Sequence, residues 1–417
     1  MLRGAPAGGP ADFQTVRESN LGLVLRTVRE RAPCSRAEVA AATRLTKATV
    51  SSLVADLIAH GLVREIGAAP ARRVGRPGVM LALDERRIAA VGLEVNVDYL
   101  TVVAVDLAER ELLARHVPFD AGAAGPQAAA ERLAALAGAT AADPLLADRT
   151  LLGVSVAVPG LIDSPAGVVT DAPNLRWRGF PLRDRLRELL GAAGLTGMPL
   201  LVDNDANLGA VAEYRSGHLA HTLDLVYLTG EVGIGAGVLV EGRPLRGSTG
   251  YGGEIGHIPL ARDPLCGCGR RGCLEALAGI HAIVRRAVPD LVPAGPITGE
   301  RVAAAVAATV RRAEDGDPGV RRALAEAGEW LGRGVATLVN LLNPQAVLLG
   351  GYFVPLAPWL LPPCAAQLDA HVIAPERGGC RVEASRLGLT AAARGGAAAL
   401  VDALDTGRLP LPAPRPG

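Results

Sequence analysis

The chain has 417 residues, of which 49% are hydrophobic and 20% are charged, and its formal net charge is +1. This composition is typical of a folded protein of two or three domains and excludes an intrinsically disordered chain. We find no run of about 18 apolar residues, so the sequence predicts no membrane span and no membrane partner. The N-terminal segment lacks the apolar stretch of a signal peptide, and we therefore expect a cytoplasmic protein.

Basic residues are concentrated at the N-terminal end. Residues 1–84 contain 12 Lys or Arg against 7 Asp or Glu, whereas the rest of the chain contains 31 against 35. A basic module joined to a mildly acidic body predicts a polyanionic partner for the N-terminal part.

The helical signals come first in the chain, in a predicted domain over 1–84 whose extreme N-terminus is expected to be flexible. Apolar residues at helical spacing predict a helix over 20–31. The sequence Ser35-Arg-Ala-Glu38 is a capping box that begins a second helix, and Thr46 is a candidate N-cap for a third.

Two short strands are predicted next, over 62–66 and 79–83, and the arm between them is rich in glycine, proline and arginine. Three helices and a basic hairpin make a DNA-binding winged helix-turn-helix; the alternative is a helical packing module with no nucleic acid. We expect the third helix to enter the major groove and the arm to contact the minor groove. The candidate DNA-binding residues are Thr46, Lys47, Thr49 and Ser51 on the helix and Arg72, Arg73 and Arg76 on the arm.

From residue 85 onward, predicted strands alternate with predicted helices and glycine turns, which is typical of an α/β fold. We expect a first α/β lobe over 85–203, to which a C-terminal helix over about 386–404 returns, and a second lobe over 204–385. The final residues, 405–417, end in LPLPAPRPG, and we expect this tail to be disordered.

Half of the six cysteines lie in one short segment, CGCGRRGC, at Cys266, Cys268 and Cys273. A closed tetrahedral zinc site needs a fourth ligand, and the nearest histidine upstream is His257. The intervening glycines allow the chain to turn around one ion. The sequence therefore predicts a structural Zn²⁺ site with these four ligands; the alternative is a glycine turn that carries reduced thiols.

The segments GEIGHIPL and CGCGRRGCLEALAG resemble the signature of the ROK family, which contains sugar kinases and transcriptional repressors. VDNDAN, AVPGLID and APNLRW are also similar to segments of that family, and the resemblance runs from about residue 20 to 404. It implies a two-lobed, actin-like (ribonuclease H-like) ATPase fold and a zinc ion that braces the sugar pocket. It also implies assembly into homodimers or homotetramers.

A hexose site is a further implication of the resemblance. Its matching positions here are Asn174, Asn204, Asp205, Glu254, His257 and Glu275. Asp205 matches the base that removes the proton from the attacking hydroxyl in the kinases. It falls where a strand becomes a helix, so we expect helix-end amides to keep it ionised. The alternative is that Asp205 is only an N-cap and Glu254 only a solvated acid.

The two glycine-rich turns that hold ATP phosphates in such kinases are altered in this chain. The first, D-x-G-G-T in the family, matches residues 94–98, which lack both glycines and the threonine. Val97 would obstruct the approach of a phosphate to the backbone, and Asp98 adds negative charge. The second turn keeps its glycines but has Val232 in place of the threonine and an acid, Glu231, beside it. We therefore expect no kinase activity and no catalytic residue, with Asp205 a vestigial base.

Together these features predict a sugar-responsive DNA-binding transcriptional regulator that acts as a repressor. Its expected partners are operator DNA and a sugar or sugar-phosphate effector. The alternative is an active ROK-type sugar kinase that carries a DNA-binding module. In a third reading both sugar and ATP binding are lost, and dimerisation alone controls DNA binding.

Overall fold

The computed structural model describes residues 13–68, 79–292 and 300–414. Its strands form two five-stranded sheets and two three-stranded sheets. Within the described residues, no helix combines the length and apolar character that a membrane crossing requires.

The N-terminal module consists of α1 (Phe13–Arg31), β1 (Cys34–Ser35), α2 (Arg36–Thr43), α3 (Lys47–Ala59), β2 (Val63–Ala68) and β3 (Val79–Leu83). The predicted capping box is present: Ser35 Oγ accepts a hydrogen bond from the amide of Glu38, whose carboxylate accepts one from the amide of Ser35. Thr46 caps α3 by accepting from the amide of Thr49 at 3.1 Å. Because the apolar side chains of α3 recur at helical spacing, one face is buried, at Val50, Leu53, Val54 and Leu57.

The first lobe contains β4 (Ile88–Val95), β5 (Tyr99–Asp106), β6 (Glu111–Pro118), α4 (Ala121–Ala141), β7 (Thr150–Val158), β8 (Leu161–Asp163), β9 (Val168–Ala172), β10 (Trp177–Phe180), α5 (Leu182–Ala192) and β11 (Leu200–Asn204). Its large sheet has the order β11-β7-β4-β5-β6, and β8, β9 and β10 form a small separate sheet. Every residue of β4 and β5 is buried. Such continuous apolar strands are typical of a sheet that is covered on both faces.

The second lobe contains α6 (Asp205–Ser216), β12 (Leu225–Gly230), β13 (Ile234–Val240), β14 (Arg243–Pro244), α7 (Leu274–Ala278), α8 (Ile280–Ala287), α9 (Glu300–Glu314), α10 (Pro318–Leu342), β15 (Ala346–Gly351), α11 (Phe353–His371) and β16 (Arg381–Ala384). The last helix of the chain is α12 (Ala391–Asp405). The strand order of its sheet is β14-β13-β12-β15-β16.

Two helices lie between the large sheets. Helix α12 packs against β4, β5 and β7 of the first sheet, and α6 packs against β12 and β13 of the second. The two helices also pack on each other, and their backbones touch at Gly395, where a Cβ would overlap the carbonyl oxygen of Leu208. The strand-to-helix junction from β11 to α6 therefore lies at the boundary between the lobes.

The C-terminal tail differs from the disorder expected over 405–417. Asp405 is the last residue of α12, and residues 406–414 follow it as a described segment. Leu409 and Leu411 pack against the apolar cluster of the N-terminal module, and His60 Nδ1 lies 2.6 Å from the carbonyl oxygen of Pro412. These two leucines bury part of their apolar surface in the contact. Residues 415–417 lie outside the described residues.

Candidate functional site

A cleft of about 930 Å³, measured with its open mouth, lies at the boundary between the lobes. All six residues predicted to bind a sugar line it, although they come from widely separated parts of the chain. Asn174 follows β9, Asn204 ends β11, Asp205 begins α6, Glu254 and His257 lie on the loop after β14, and Glu275 belongs to α7.

The start of α6 is held by Asn204. Its Oδ1 accepts a hydrogen bond from the amide of Asn207 at 3.0 Å, and its Nδ2 donates to the carbonyl of Gly160 at 3.1 Å. Asn204, not Asp205, is therefore the N-cap, which leaves one carboxylate oxygen of Asp205 outside the capping contacts.

Asp205 is 7% exposed, and its Oδ1 accepts from the amide of Ala206 at 2.8 Å. Burial raises the pKa of Asp205 to about 6, and the nearby carboxylate of Glu254 adds to the effect. Helix-end amides were expected to keep Asp205 ionised, but burial has the larger effect and raises its pKa. A carboxyl group with a pKa of about 6 is still mostly ionised at pH 7.

Asn207 is a cleft residue that the sequence analysis did not single out. It is 4% exposed, lines the cleft, and its Oδ1 has no hydrogen-bond partner. A buried amide oxygen without a partner is costly unless a ligand or water pairs with it. The signal was available, because Asn207 lies three residues after Asn204 in the same NDAN segment, on the first turn of α6.

The predicted metal ligands converge. The ligand atoms of His257, Cys266, Cys268 and Cys273 all lie within 4.8 Å of one another. Cys268 Sγ is 3.8 Å from Cys273 Sγ, and His257 Nδ1 is 3.8 Å from Cys266 Sγ. Zn–S bonds of about 2.3 Å in a tetrahedral site separate two sulfur ligands by about 3.8 Å. The donor set and its spacing therefore fit a metal ion.

One wall of the cleft is built on this cluster of one histidine and three cysteines. Glu275 Oε1 accepts from Cys266 Sγ at 3.5 Å, and its Oε2 accepts from the amide of Ile234 at 3.3 Å. A Cβ at Gly233 would overlap the same carboxylate. His257 and Cys268 also line the cleft. The cluster thus positions Glu275 against the second glycine-rich turn.

The first altered turn is closed by its own side chains. The amide of Val97 donates to Asn96 Oδ1 at 2.7 Å, so this amide is already paired. The Val97 side chain is 5% exposed and lines the cleft. Asp98 is 7% exposed and accepts from the hydroxyl of Tyr352 at 3.2 Å, and burial raises its pKa to about 6.

Carboxyl groups dominate this end of the cleft. Glu94 is 2% exposed, and burial together with Asp205 raises its pKa to about 8. Burial and the neighbouring Glu94 also raise the pKa of Glu231 well above its ordinary value. Asp205, Glu231, Glu254 and Glu275 line the cleft, and none of its described lining residues is Arg or Lys.

The predicted DNA-binding residues of α3 lie on its N-terminal turns. Thr46, Lys47 and Ser51 are exposed, and Thr49 is partly exposed. Arg44 was not predicted; it is exposed in the turn between α2 and α3, with a positive φ of 58°. A basic residue inside a helix-turn-helix turn was the available signal. Arg72, Arg73 and Arg76 lie outside the described residues.

Comparisons with known proteins agree with this architecture. The ROK family model matches residues 90–403, and a MarR family model matches residues 22–73. The chain is 30% identical to a xylose repressor of Caldicellulosiruptor bescii over 340 residues, which cover 80% of this chain and 83% of that protein.

Two solved structures are similar to the chain over different extents. A ROK family transcriptional regulator described as a homologue of the E. coli MLC protein has a TM-score of 0.75 and 26% identity, covering 94% of this chain and 98% of that one. A ROK family glucokinase from Streptomyces griseus, in complex with glucose and AMPPNP, has a TM-score of 0.61 and 27% identity, covering 75% of this chain and 98% of its own.

The predicted fold class is confirmed: a winged helix-turn-helix precedes a two-lobed, actin-like sugar-kinase fold. Since the family model spans most of the chain, this protein belongs to the ROK family.

Proposed function

We propose that this protein is a sugar-responsive transcriptional repressor. The observation that carries the proposal is the extent of the matches. A ROK family regulator covers 94% of the chain, including the winged helix, whereas the glucokinase covers 75%. A xylose repressor that is 30% identical covers 80% of the chain, whereas a glucokinase that is also 30% identical covers 59%.

The proposed effector is an uncharged sugar that binds in the cleft through Asn174, Asn204, Asp205, Glu254, His257 and Glu275, with Asn207 as a further contact. Sugar hydroxyls donate well to carboxylate and amide oxygens. A phosphorylated sugar fits less well, because its phosphate would meet several carboxylates and no lysine or arginine of the described lining. An aldose such as D-xylose or D-glucose carries several hydroxyl donors and no charge, which suits a lining of amide and carboxylate oxygens.

A structural Zn²⁺ is the proposed occupant of the cluster formed by His257, Cys266, Cys268 and Cys273. The bound ion supplies no chemistry to a reaction; it would order the loop from His257 to Cys273. Through Glu275 and His257, that loop positions acceptors for the sugar.

The N-terminal module is proposed to bind operator DNA. Lys47, Ser51, Thr46 and Thr49 would lie in the major groove, and Arg72, Arg73 and Arg76 would contact the minor groove and the backbone. A homodimer or homotetramer would present two such modules to a palindromic site.

We expect no kinase activity. The amide of Val97 is paired with Asn96, the side chain of Val97 fills part of the cleft, and Asp98 and Glu231 bring carboxyl groups to the place where phosphates would lie. Phosphoryl transfer depends on groups that neutralise the charge of the phosphates, whereas the described lining of this cleft contains several carboxyl groups and no lysine or arginine.

Thermal melting with a ligand panel tests the proposal. The panel is D-xylose, D-glucose, N-acetyl-D-glucosamine, the phosphates of these sugars, and ATP with Mg²⁺. We expect one uncharged sugar to raise the melting temperature and ATP to have no effect. A shift with ATP, followed by sugar-dependent ATP turnover, would instead establish the kinase alternative.

A further inference from the structure

A line made of helix α6 and two consecutive ion pairs joins the sugar cleft to the DNA-binding module. The line begins at α6, whose first residue, Asp205, lines the cleft and whose last turn carries Arg215. It passes to Asp405 at the end of α12 and from there to Arg29 on α1. Each member belongs to a different helix, and α1 packs directly against α2 and α3 of the winged helix.

Arg215 is the first link. Its side chain is 16% exposed, and its Nε donates to Glu109 Oε1 at 2.9 Å and to Oε2 at 3.2 Å. The same guanidinium lies 3.7 Å from a carboxylate oxygen of Asp402 and 3.7 Å from one of Asp405. The C-terminus of α6 is thereby held to both the β5–β6 turn and the end of α12.

Asp405 is the second link, and its side chain is 1% exposed. Arg29 donates two hydrogen bonds of 3.0 Å to this carboxylate, from Nε to Oδ2 and from Nη2 to Oδ1. It also donates to the carbonyl of Leu107. A bidentate pair of this kind defines distance and orientation together, so that α1 cannot move independently of α12 while the pair is intact.

The backbones along this line are in contact as well. Helices α6 and α12 touch at Gly395, and α1 approaches the end of α12 so closely that a Cβ at Gly22 would overlap the carbonyl oxygen of Asp405. The tail beyond Asp405 then covers α1 and α3 through Leu409 and Leu411. Such packed helices move as units, because their interfaces cannot deform continuously.

We propose that Arg215 and Asp405 are the residues that couple the sugar cleft to the DNA-binding module. This inference rests on the proposed function. A sugar that contacts Asn204 and Asp205 shifts the N-terminus of α6, and the shift reaches α1 through Arg215, Asp405 and Arg29. The orientation of the winged helix then depends on whether the cleft is occupied, which requires a sugar with different affinities for the two orientations.

The coupling is measured as a ratio of affinities. The probe is the DNA duplex that the wild-type protein selects from a random library, and its dissociation constant is measured by fluorescence anisotropy with and without saturating sugar. The sugar is whichever of D-xylose, D-glucose and N-acetyl-D-glucosamine raises the melting temperature of the wild type. Allosteric ratios are typically about 5- to 150-fold.

Arg215→Gln removes the first link without touching a cleft residue. We expect the ratio of its two DNA dissociation constants, with and without sugar, to fall to about twofold or less. The dissociation constant of the DNA-free protein for sugar is expected to change by about threefold or less. Arg408→Gln is the matched control: Arg408 also pairs with Asp402, at 2.6 Å, but it is 64% exposed and is not a member of the line. The control is expected to keep the wild-type ratio.

A second variant, Gly22→Ala, tests the next contact of the line, between α1 and the end of α12, and serves if Arg215→Gln does not fold. Its Cβ forces α1 away from the end of α12, and its ratio is also expected to fall. Wild-type ratios in both variants would overturn the coupling proposal while leaving the repressor function intact. If none of the three sugars changes the dissociation constant of the wild-type protein for DNA, the proposed function itself would be overturned.

Discussion

Removing one metal ligand, by Cys268→Ser, is expected to release both the ion and the loop that it orders. Of the ten residues 262–271, only Cys266 is buried, so apolar burial contributes little to holding this loop. Ordering the backbone of ten residues costs about 10–20 kcal/mol at about 1–2 kcal/mol each. A structural zinc contributes about 10–16 kcal/mol, which is the same size. A bound zinc would therefore contribute enough free energy to decide whether this loop is ordered.

Two measurements follow from this comparison. Metal analysis after dialysis should find about one zinc per wild-type chain and far less in the variant. Trypsin should then cut the variant after Arg270 or Arg271, which are exposed residues of the same loop, while the wild type resists until a chelator is added.

The control is Cys380→Ser, because Cys380 is a free cysteine that lies outside the cluster; it is buried, whereas Cys268 is partly exposed. This control should retain its zinc and its resistance to cleavage in the loop. A Cys268→Ser protein that holds a full equivalent of zinc, or a chelated wild type that trypsin leaves intact, would refute the reasoning.

Three further expectations concern the DNA surface, the cleft and pH. Lys47→Ala should weaken binding to the selected duplex and reduce the slope of log affinity against log salt by about 1, the value for one phosphate contact; an unchanged slope would remove Lys47 from the interface. Asp205→Asn should raise the sugar dissociation constant at least about tenfold, since a hydrogen bond to a charged group contributes about 1.5–3 kcal/mol. Isothermal titration calorimetry measures this constant, and an unchanged value would show that Asp205 does not bind the sugar. Burial raises the pKa of Glu94 from 4.5 to about 8, so the folded state binds the Glu94 proton more tightly than the unfolded state does. The resulting contribution to the free energy of unfolding is fully present below about pH 4.5 and is lost as the pH rises through 8. Glu94→Gln cannot ionise, so its melting temperature relative to the wild type should be higher at pH 8 than at pH 5; equal differences at both values would contradict the burial of this charge.

Local chemistry made several features predictable from the sequence. The capping box at Ser35 and Glu38 depends on residues three positions apart, and so does the cap that Thr46 provides for α3. The convergence of His257 with the three cysteines required one longer step along the chain. It was predictable because cysteines and a histidine in one short segment are typical of a metal site. The candidate sugar-binding residues came from the family resemblance, and the fold brings all six of them to one cleft.

Other features were decided only by tertiary contacts. The tail was expected to be disordered because its composition is rich in proline, yet Leu409 and Leu411 find apolar surface on the N-terminal module. The pKa of Asp205 depends on how deeply α6 is buried between the sheets, which no local pattern reveals.

The sequence by itself determined which residue types this protein brings to each part: a capped helix-turn-helix, a cluster of one histidine and three cysteines that could hold a metal ion, and a pocket of amides and carboxylates. Most of these features depend on residues a few positions apart, and over such short spacings the local backbone geometry already determines which residues lie close together. Only the tertiary structure decided how these parts are connected. Arg29 and Asp405 are 376 residues apart, and their ion pair exists because the last helix returns across the first sheet to meet the first helix.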